Sequence, residues 1–126
     1  IEKNPQLAEF AGNYIEMAGL SAKVKIMQGD ALEVIKKLDI TFDLVYIDGD
    51  KEEYCEYFNI IEPRLSENAL IVIDNTLWYG KVYDEQCHDN QTIKLREFND
   101  FLAKKSNFEV VVLPVGDGIT LALRKH

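Results

Sequence analysis

The sequence predicts an α/β fold: a mostly parallel sheet finished by an antiparallel C-terminal hairpin. Three observations carry this. Segments with apolar residues at helical spacing alternate with short apolar runs. Two of those runs, Leu44-Val45-Tyr46-Ile47 and Ala69-Leu70-Ile71-Val72-Ile73, are unbroken, as in strands buried on both faces. Near the end, Val110–Val115 and Ile119–Leu123 flank Gly116-Asp117-Gly118, a hairpin signal.

Taken in order, Asn4-Pro5 opens a helix, with Asn as N-cap and Pro at the first helical position. Leu7, Ala11, Tyr14, Ile15 and Ala18 follow at helical spacing, and Gly19 ends the run. Val24-Lys25-Ile26-Met27 reads as a short strand, and Leu32, Ile35 and Leu38 as a short helix. After the apolar run ending at Asp48, Asp50-x-x-Glu53 reads as a capping box for a helix with Tyr54, Tyr57, Phe58 and Ile61 on its apolar stripe. Ser66-Glu67-Asn68 turns the chain into the Ala69–Ile73 run. Residues 76–90 have no clear period and read as a long loop, a type that in compact domains is usually functional. Leu95, Phe98 and Leu102 mark the last helix. No repeat or Pro/Gly/Ser linker divides the 126 residues, which suit one domain.

Charge and composition narrow the chemistry. Fourteen Lys and Arg against 22 Asp and Glu leave a net charge of −8. That balance argues against nucleic-acid backbones or anionic membranes as the main partner, and suits cations and neutral or positively charged small molecules. No apolar run reaches membrane-spanning length. Cys55 and Cys87 form no CxxC, so a reducing cytoplasm is the simplest compartment. Cys87-His88 are adjacent, but a nucleophilic dyad is made by fold geometry rather than sequence adjacency. His126 reads as solvated. No strand–Gly-rich loop–helix fingerprint or P-loop is present.

In open α/β sheets ligands bind beyond the carboxyl ends of the parallel strands. Glu2, Asp30, Asp48 and Asp74 fall at such ends, with Asn75 and Lys51 beside them. A lone Asp there commonly caps or turns the chain, and Asp50 is read that way. Asp48 and Asp74 each terminate a long apolar run, and with Asn75 they form a set of hard oxygen donors suited to Mg²⁺, Mn²⁺ or Ca²⁺. Lys51 reads either as a solvated helix residue or as a general base whose pKa is lowered by a helix N-terminus and a nearby divalent ion. Trp78 and Tyr79 read as walls of an aromatic pocket, or Trp78 as core.

The ordered set of Ile1-Glu2, Ala18-Gly19-Leu20, Gly29-Asp30-Ala31, Phe42–Asp48 with Gly49-Asp50-Lys51, Asp74–Val82, Leu95–Asn99 and Leu113–Gly118 resembles the cation-dependent O-methyltransferases, the group of caffeoyl-CoA and catechol O-methyltransferases. The resemblance implies a Rossmann-like class I methyltransferase sheet. It implies that Glu2 accepts the ribose hydroxyls of S-adenosylmethionine and that Asp30 and Ala31 lie against the adenine. Asp48, Asp74 and Asn75 would hold the divalent cation, with Asp48 also at the cofactor, and Lys51 would be the base. The acceptor implied is a small phenolic or catechol-like hydroxyl, methylated after proton removal, and the assembly implied is a homodimer.

Two departures from the family pattern stand out. Family members usually carry Asn or His where this chain has Tyr79, near the acceptor. The N-terminal helices, the first strand and its glycine-containing cofactor loop have no counterpart, so the resemblance covers only the C-terminal part of the family's domain. Because that strand lies mid-sheet in the family, its loss would leave unpaired inner edges. The expectation is therefore that 1–126, which begins without Met, is part of a longer polypeptide or a fragment rearranged by dimerisation. The competing reading is an inactive methyltransferase-like scaffold or oligomerisation module. A phosphoacceptor receiver domain is set aside, because the chain lacks its acidic pair and its Lys-Pro.

Overall fold

A computed structural model describes residues 1–125; His126 lies outside the described residues. The chain divides into two compact units, 1–39 and 40–126. In the first, Asn4 caps helix α1 (Pro5–Met17), its side-chain oxygen accepting from the backbone N–H groups of Gln6 and Leu7. Gly19 follows with φ 67°, the left-handed position that closes a helix without Cβ strain. Of the α1 residues only Ala8 is buried, so most of the expected apolar stripe is exposed, including Leu7 and Tyr14. Asp30 caps helix α2 (Ala31–Lys37).

The expected strand at Val24–Met27 is corrected. These residues form no ladder, and the local pairing is a single parallel bridge between Glu2 and Gln28. Its two bonds are Glu2 N–H to Met27 O at 3.0 Å and Gly29 N–H to Glu2 O at 2.9 Å. A strand exists through its partners, and three residues of apolar character do not supply one.

The second unit is built on a four-stranded sheet of order β1-β2-β4-β3, with β1 Phe42–Ile47, β2 Leu65–Ile73, β3 Phe108–Leu113 and β4 Ile119–Arg124. β1 and β2 are parallel, and β4 lies antiparallel to both β2 and β3. Three strands therefore share one direction and β4 opposes them. The expected C-terminal hairpin is present, but β4 inserts between β2 and β3 instead of both strands forming an edge. Ser66-Glu67-Asn68, read as a turn, lies within β2. There the register jumps from Phe42↔Leu65 to Leu44↔Leu70, and Asn68 takes φ 60° to absorb the extra residues.

Helices α3 (Tyr54–Ile61) and α4 (Asn90–Ala103) supply the rest of the core. Tyr54, Phe58, Phe98, Leu95 and Leu102 are almost fully buried alongside Ile71 and Ile73 of β2. Phe58 meets Phe98, Phe101 and Phe108 edge-on at centroid distances of 6.4, 5.5 and 5.3 Å, the orientation that sets ring edge against ring face. No helix among the described residues is long and apolar enough to cross a membrane.

Candidate active site

The register of two parallel strands builds the centre of the site. Ile47 of β1 is level with Ile73 of β2, and the Asp74 N–H continues the pattern by donating to Ile47 O at 3.0 Å. Asp48 and Asp74 therefore leave neighbouring strands side by side at the carboxyl edge, where ligands of such sheets bind. Tyr46, two residues before Asp48, donates its hydroxyl to Asp74 Oδ2 at 2.5 Å. That bond, with desolvation and the charges of Asp74 and Asp48, pushes the Tyr46 phenol up to about 12. Tyr54 is fully buried, and its hydroxyl donates to the main-chain oxygen of Asp74 at 3.0 Å. Burial first, then the same two carboxylates, push the Tyr54 phenol far above its ordinary value.

Asp50 caps the 3-10 turn Lys51–Glu53 by accepting from Glu52 N–H at 3.0 Å, the capping role expected of it. The expected reciprocal capping box does not form: Asp50 accepts from Glu52 N–H rather than Glu53 N–H, and Glu53 accepts the Tyr57 hydroxyl at 2.6 Å instead of reaching back. The turn carries Lys51 inward. Its side chain is 8% exposed, and Nζ lies 3.0 Å from Asp48 Oδ1 and 3.2 Å from Gly49 O. The ammonium also stands over the Tyr54 ring at 5.1 Å and the Trp78 ring at 5.8 Å. This excludes the reading of Lys51 as a solvated helix residue: a nearly buried cation needs a carboxylate and aromatic faces such as these to offset its lost hydration.

The 76–90 loop has more order than its sequence suggests. Trp78–Tyr83 forms 3-10 turns broken at Tyr79 and Gly80, and Asn75, Trp78 and Tyr79 all have positive φ. Such a conformation is unfavourable for an aromatic residue and persists only where surrounding bonds impose it. Thr76 and Leu77 donate to Gly118 O and Asp117 O at 3.1 and 3.0 Å, Asn99 Nδ2 donates to Thr76 O at 3.0 Å, and the Tyr79 N–H donates to Asp117 Oδ1. Trp78 stacks obliquely on Tyr79 at 5.4 Å, and Tyr79 itself is 78% exposed. Trp78 is thus neither core nor free surface: one face meets Lys51, and its indole Nε1 is buried without a partner among the described residues.

Sequence reading missed Arg96. From α4 its guanidinium donates to Val82 O (3.1 Å), Cys87 O (2.8 Å), Lys81 O (2.8 Å) and Asp84 O (2.5 Å), clamping the loop's second half. No local pattern signals this, since a carbonyl belongs to every residue. Tyr46 did carry a signal, being two residues before Asp48 and so on the same strand face. Cys87 donates its thiol to Asp84 Oδ2 at 3.4 Å, and that bond to a carboxylate raises the thiol's pKa.

Glu2, Asp30 and Ala31 belong to the first unit. Glu2 Oε1 accepts from Asn4 N–H at 2.7 Å. Asp30 caps α2 through Leu32 N–H at 3.1 Å and pairs with Lys3 at 3.1 Å, and the Lys3 contact holds its carboxyl below the usual range. Ala31 begins α2.

The O-methyltransferase family profile matches residues 1–125. Caffeoyl-CoA O-methyltransferase 5 of Nicotiana tabacum is 36% identical over 123 residues, covering 87% of this chain and 51% of that protein. Catechol O-methyltransferase of Niastella koreensis is 34% identical over 134 residues, covering 99% of this chain and 61% of that protein. Among solved structures, the O-methyltransferase TomG of Streptomyces achromogenes in complex with S-adenosylmethionine superposes with TM-score 0.90 at 30% identity, covering 99% and 60% of the two chains. The Bacillus cereus O-methyltransferase in complex with S-adenosylhomocysteine gives 0.89 at 26% identity, covering 98% and 60%. The chain spans between half and about three-fifths of the length of these relatives. A parallel strand pair ending in two carboxylates, a lysine caged against one of them and a profile match from end to end of the described residues lead to one conclusion: this chain belongs to the O-methyltransferase family.

Proposed function

We propose that this chain carries the catalytic part of an S-adenosylmethionine-dependent, divalent-metal-assisted O-methyltransferase for a small phenolic or catechol-like hydroxyl. The observation that carries the reading is the grouping of Asp48, Asp74 and Lys51 at the carboxyl edge of β1 and β2. The donor set fits a hard divalent ion: two carboxylates on adjacent strand ends with a carboxamide at Asn75, all oxygen donors, fit Mg²⁺ first and Mn²⁺ or Ca²⁺ as well. Asp48, Asp74 and Asn75 would hold it. When bound, the cation supplies Lewis acidity at the acceptor oxygen and S-adenosylmethionine supplies the methyl group.

This chain's own residues do the remainder. In its neutral form, after its own proton has gone to solvent, Lys51 takes the proton from the acceptor hydroxyl; Asp48, 3.0 Å from its Nζ, orients the amine and stabilises the charge that forms on it. Trp78 and Tyr79 wall the acceptor side, and a tyrosine at position 79 gives that wall an exposed phenol with which to contact the acceptor. Glu2 accepts the cofactor's ribose hydroxyls, and Asp30 with Ala31 borders its adenine. Free Cys55 and Cys87 fit a reducing cytoplasm, and a homodimer completes the reading.

Calorimetric titration with S-adenosylhomocysteine, with and without Mg²⁺, tests it. Binding strengthened by Mg²⁺ and lost Mg²⁺ dependence in Asp74→Ala are expected. Failure to bind either ligand would leave an inactive methyltransferase-like scaffold as the reading, and Mg²⁺ dependence retained in Asp74→Ala would overturn the ligand set. Sedimentation velocity reads the dimer.

A further inference from the structure

We propose that Tyr46 is a positioning residue of the candidate metal centre, its hydroxyl fixing the Asp74 carboxylate in the orientation in which it ligates a divalent cation. The inference rests on the metal-assisted reading above. Tyr46 belongs to β1 level with Val72 of β2, while Asp74 lies just past the end of β2, so the phenol reaches diagonally across the strand pair. Its ring is 55% exposed, so core packing does not account for where the hydroxyl goes. The hydroxyl's partner is Asp74 Oδ2, at 2.5 Å.

Asp74 is restrained at three atoms. Oδ1 accepts the Asn75 N–H at 2.7 Å, Oδ2 accepts Tyr46, and the main-chain oxygen accepts the buried Tyr54 at 3.0 Å. The terminal torsion of an aspartate is otherwise broad and roughly two-fold. A donor on each carboxylate oxygen removes that freedom while leaving each oxygen a second lone-pair direction for a ligand. Without the Tyr46 hydroxyl, the Asn75 N–H is the one remaining donor to the Asp74 carboxylate among the described residues, and binding a cation must then order it. Outer-shell donors of this kind typically contribute about 10–100-fold in metal affinity.

The test titrates Mn²⁺ calorimetrically into the full chain as wild type, Tyr46→Phe, Tyr46→Leu, Asp74→Asn and, as a control, Tyr83→Phe, whose phenol is exposed. The expected result is Mn²⁺ binding weakened about 10–100-fold in both Tyr46 variants, abolished in Asp74→Asn and unchanged in Tyr83→Phe, with unaltered melting of Tyr46→Phe. Equal affinity in Tyr46→Phe and wild type would overturn the positioning role while leaving the metal reading intact. Tighter binding in Tyr46→Phe would overturn it too, by showing that the phenol competes with the cation. No Mn²⁺ binding by wild type would remove the metal reading, and this proposal with it.

Discussion

Replacing Arg96 should loosen the loop that carries Trp78 and Tyr79, and the structure sets the size of the effect. The guanidinium makes four donations to the carbonyls of Lys81, Val82, Asp84 and Cys87, between 2.5 and 3.1 Å. A charged hydrogen bond is worth about 1.5–3 kcal/mol when buried. Three of these are part-buried and one is exposed, so water can replace much of each bond once the guanidinium is gone. Taking roughly 0.5–1 kcal/mol per bond, Arg96→Met should cost about 2–4 kcal/mol. At this chain length 1 kcal/mol shifts the melting midpoint by roughly 3–6 °C, so a fall of about 6–24 °C is expected. Arg96→Lys should recover less than half, because a point ammonium cannot reach four carbonyls arranged around a planar fork. Thermal melting reads the stability. Trp78 is the chain's one tryptophan, so intrinsic fluorescence reads the loop, and its emission should shift red in the native state of Arg96→Met. A midpoint within about 2 °C of wild type with unchanged emission would refute the reasoning.

Three further perturbations follow from the same geometry. Gly118 has φ 84°, and a Cβ there would lie 2.8 Å from both the backbone N and the Cβ of Leu77, so Gly118→Ala combines left-handed strain with overpacking. It should cost about 2–5 kcal/mol by urea denaturation, and a loss below about 1 kcal/mol would contradict this. Burial pushes the Glu62 carboxyl up, but the Lys105 ammonium at 2.6 Å, the Asn107 amide and the Arg124 charge outweigh it and hold it below its ordinary value. A depressed folded pKa gives stabilisation that is complete above the unfolded value and lost as pH falls through the folded one. Glu62→Gln should therefore flatten the decline of stability in acid, and an unchanged slope would exclude this pair as its source. Lys51→Met should lower methyl transfer by about 10²–10⁴-fold while S-adenosylhomocysteine still binds; turnover within about tenfold of wild type would remove Lys51 as the base.

Periodicity and capping chemistry made much of the secondary structure legible. Asn4-Pro5 and Gly19 bound α1 as read, and Asp30 begins α2, because a cap is satisfied by backbone only two or three residues away. Val24–Met27 failed as a strand because its pattern says nothing about a partner. Ser66–Asn68 failed as a turn because a bulge and a turn use the same residues, and only the register with β1 separates them. Asp48 and Asp74 were readable as site candidates from their place after long apolar runs. Their side-by-side placement was readable only on condition that the two strands were neighbours.

By itself the sequence determined the α/β class, the Asn4 and Gly19 limits of α1, the two apolar runs that become β1 and β2, and the acidic residues at their ends; it overstated the burial of β1, where Leu44 and Tyr46 are exposed. These depend on interactions a few residues long, or on a period visible along one segment. Tertiary structure alone decided which side chains answer one another across the chain. It set Lys51 under Trp78, aimed Tyr46 at Asp74, and gathered four loop carbonyls on Arg96. Those contacts depend on strand register and on the path of an aperiodic loop. Neither leaves a trace in local spacing, because hydrogen-bond partners far apart in sequence are chosen by the packing of the whole unit.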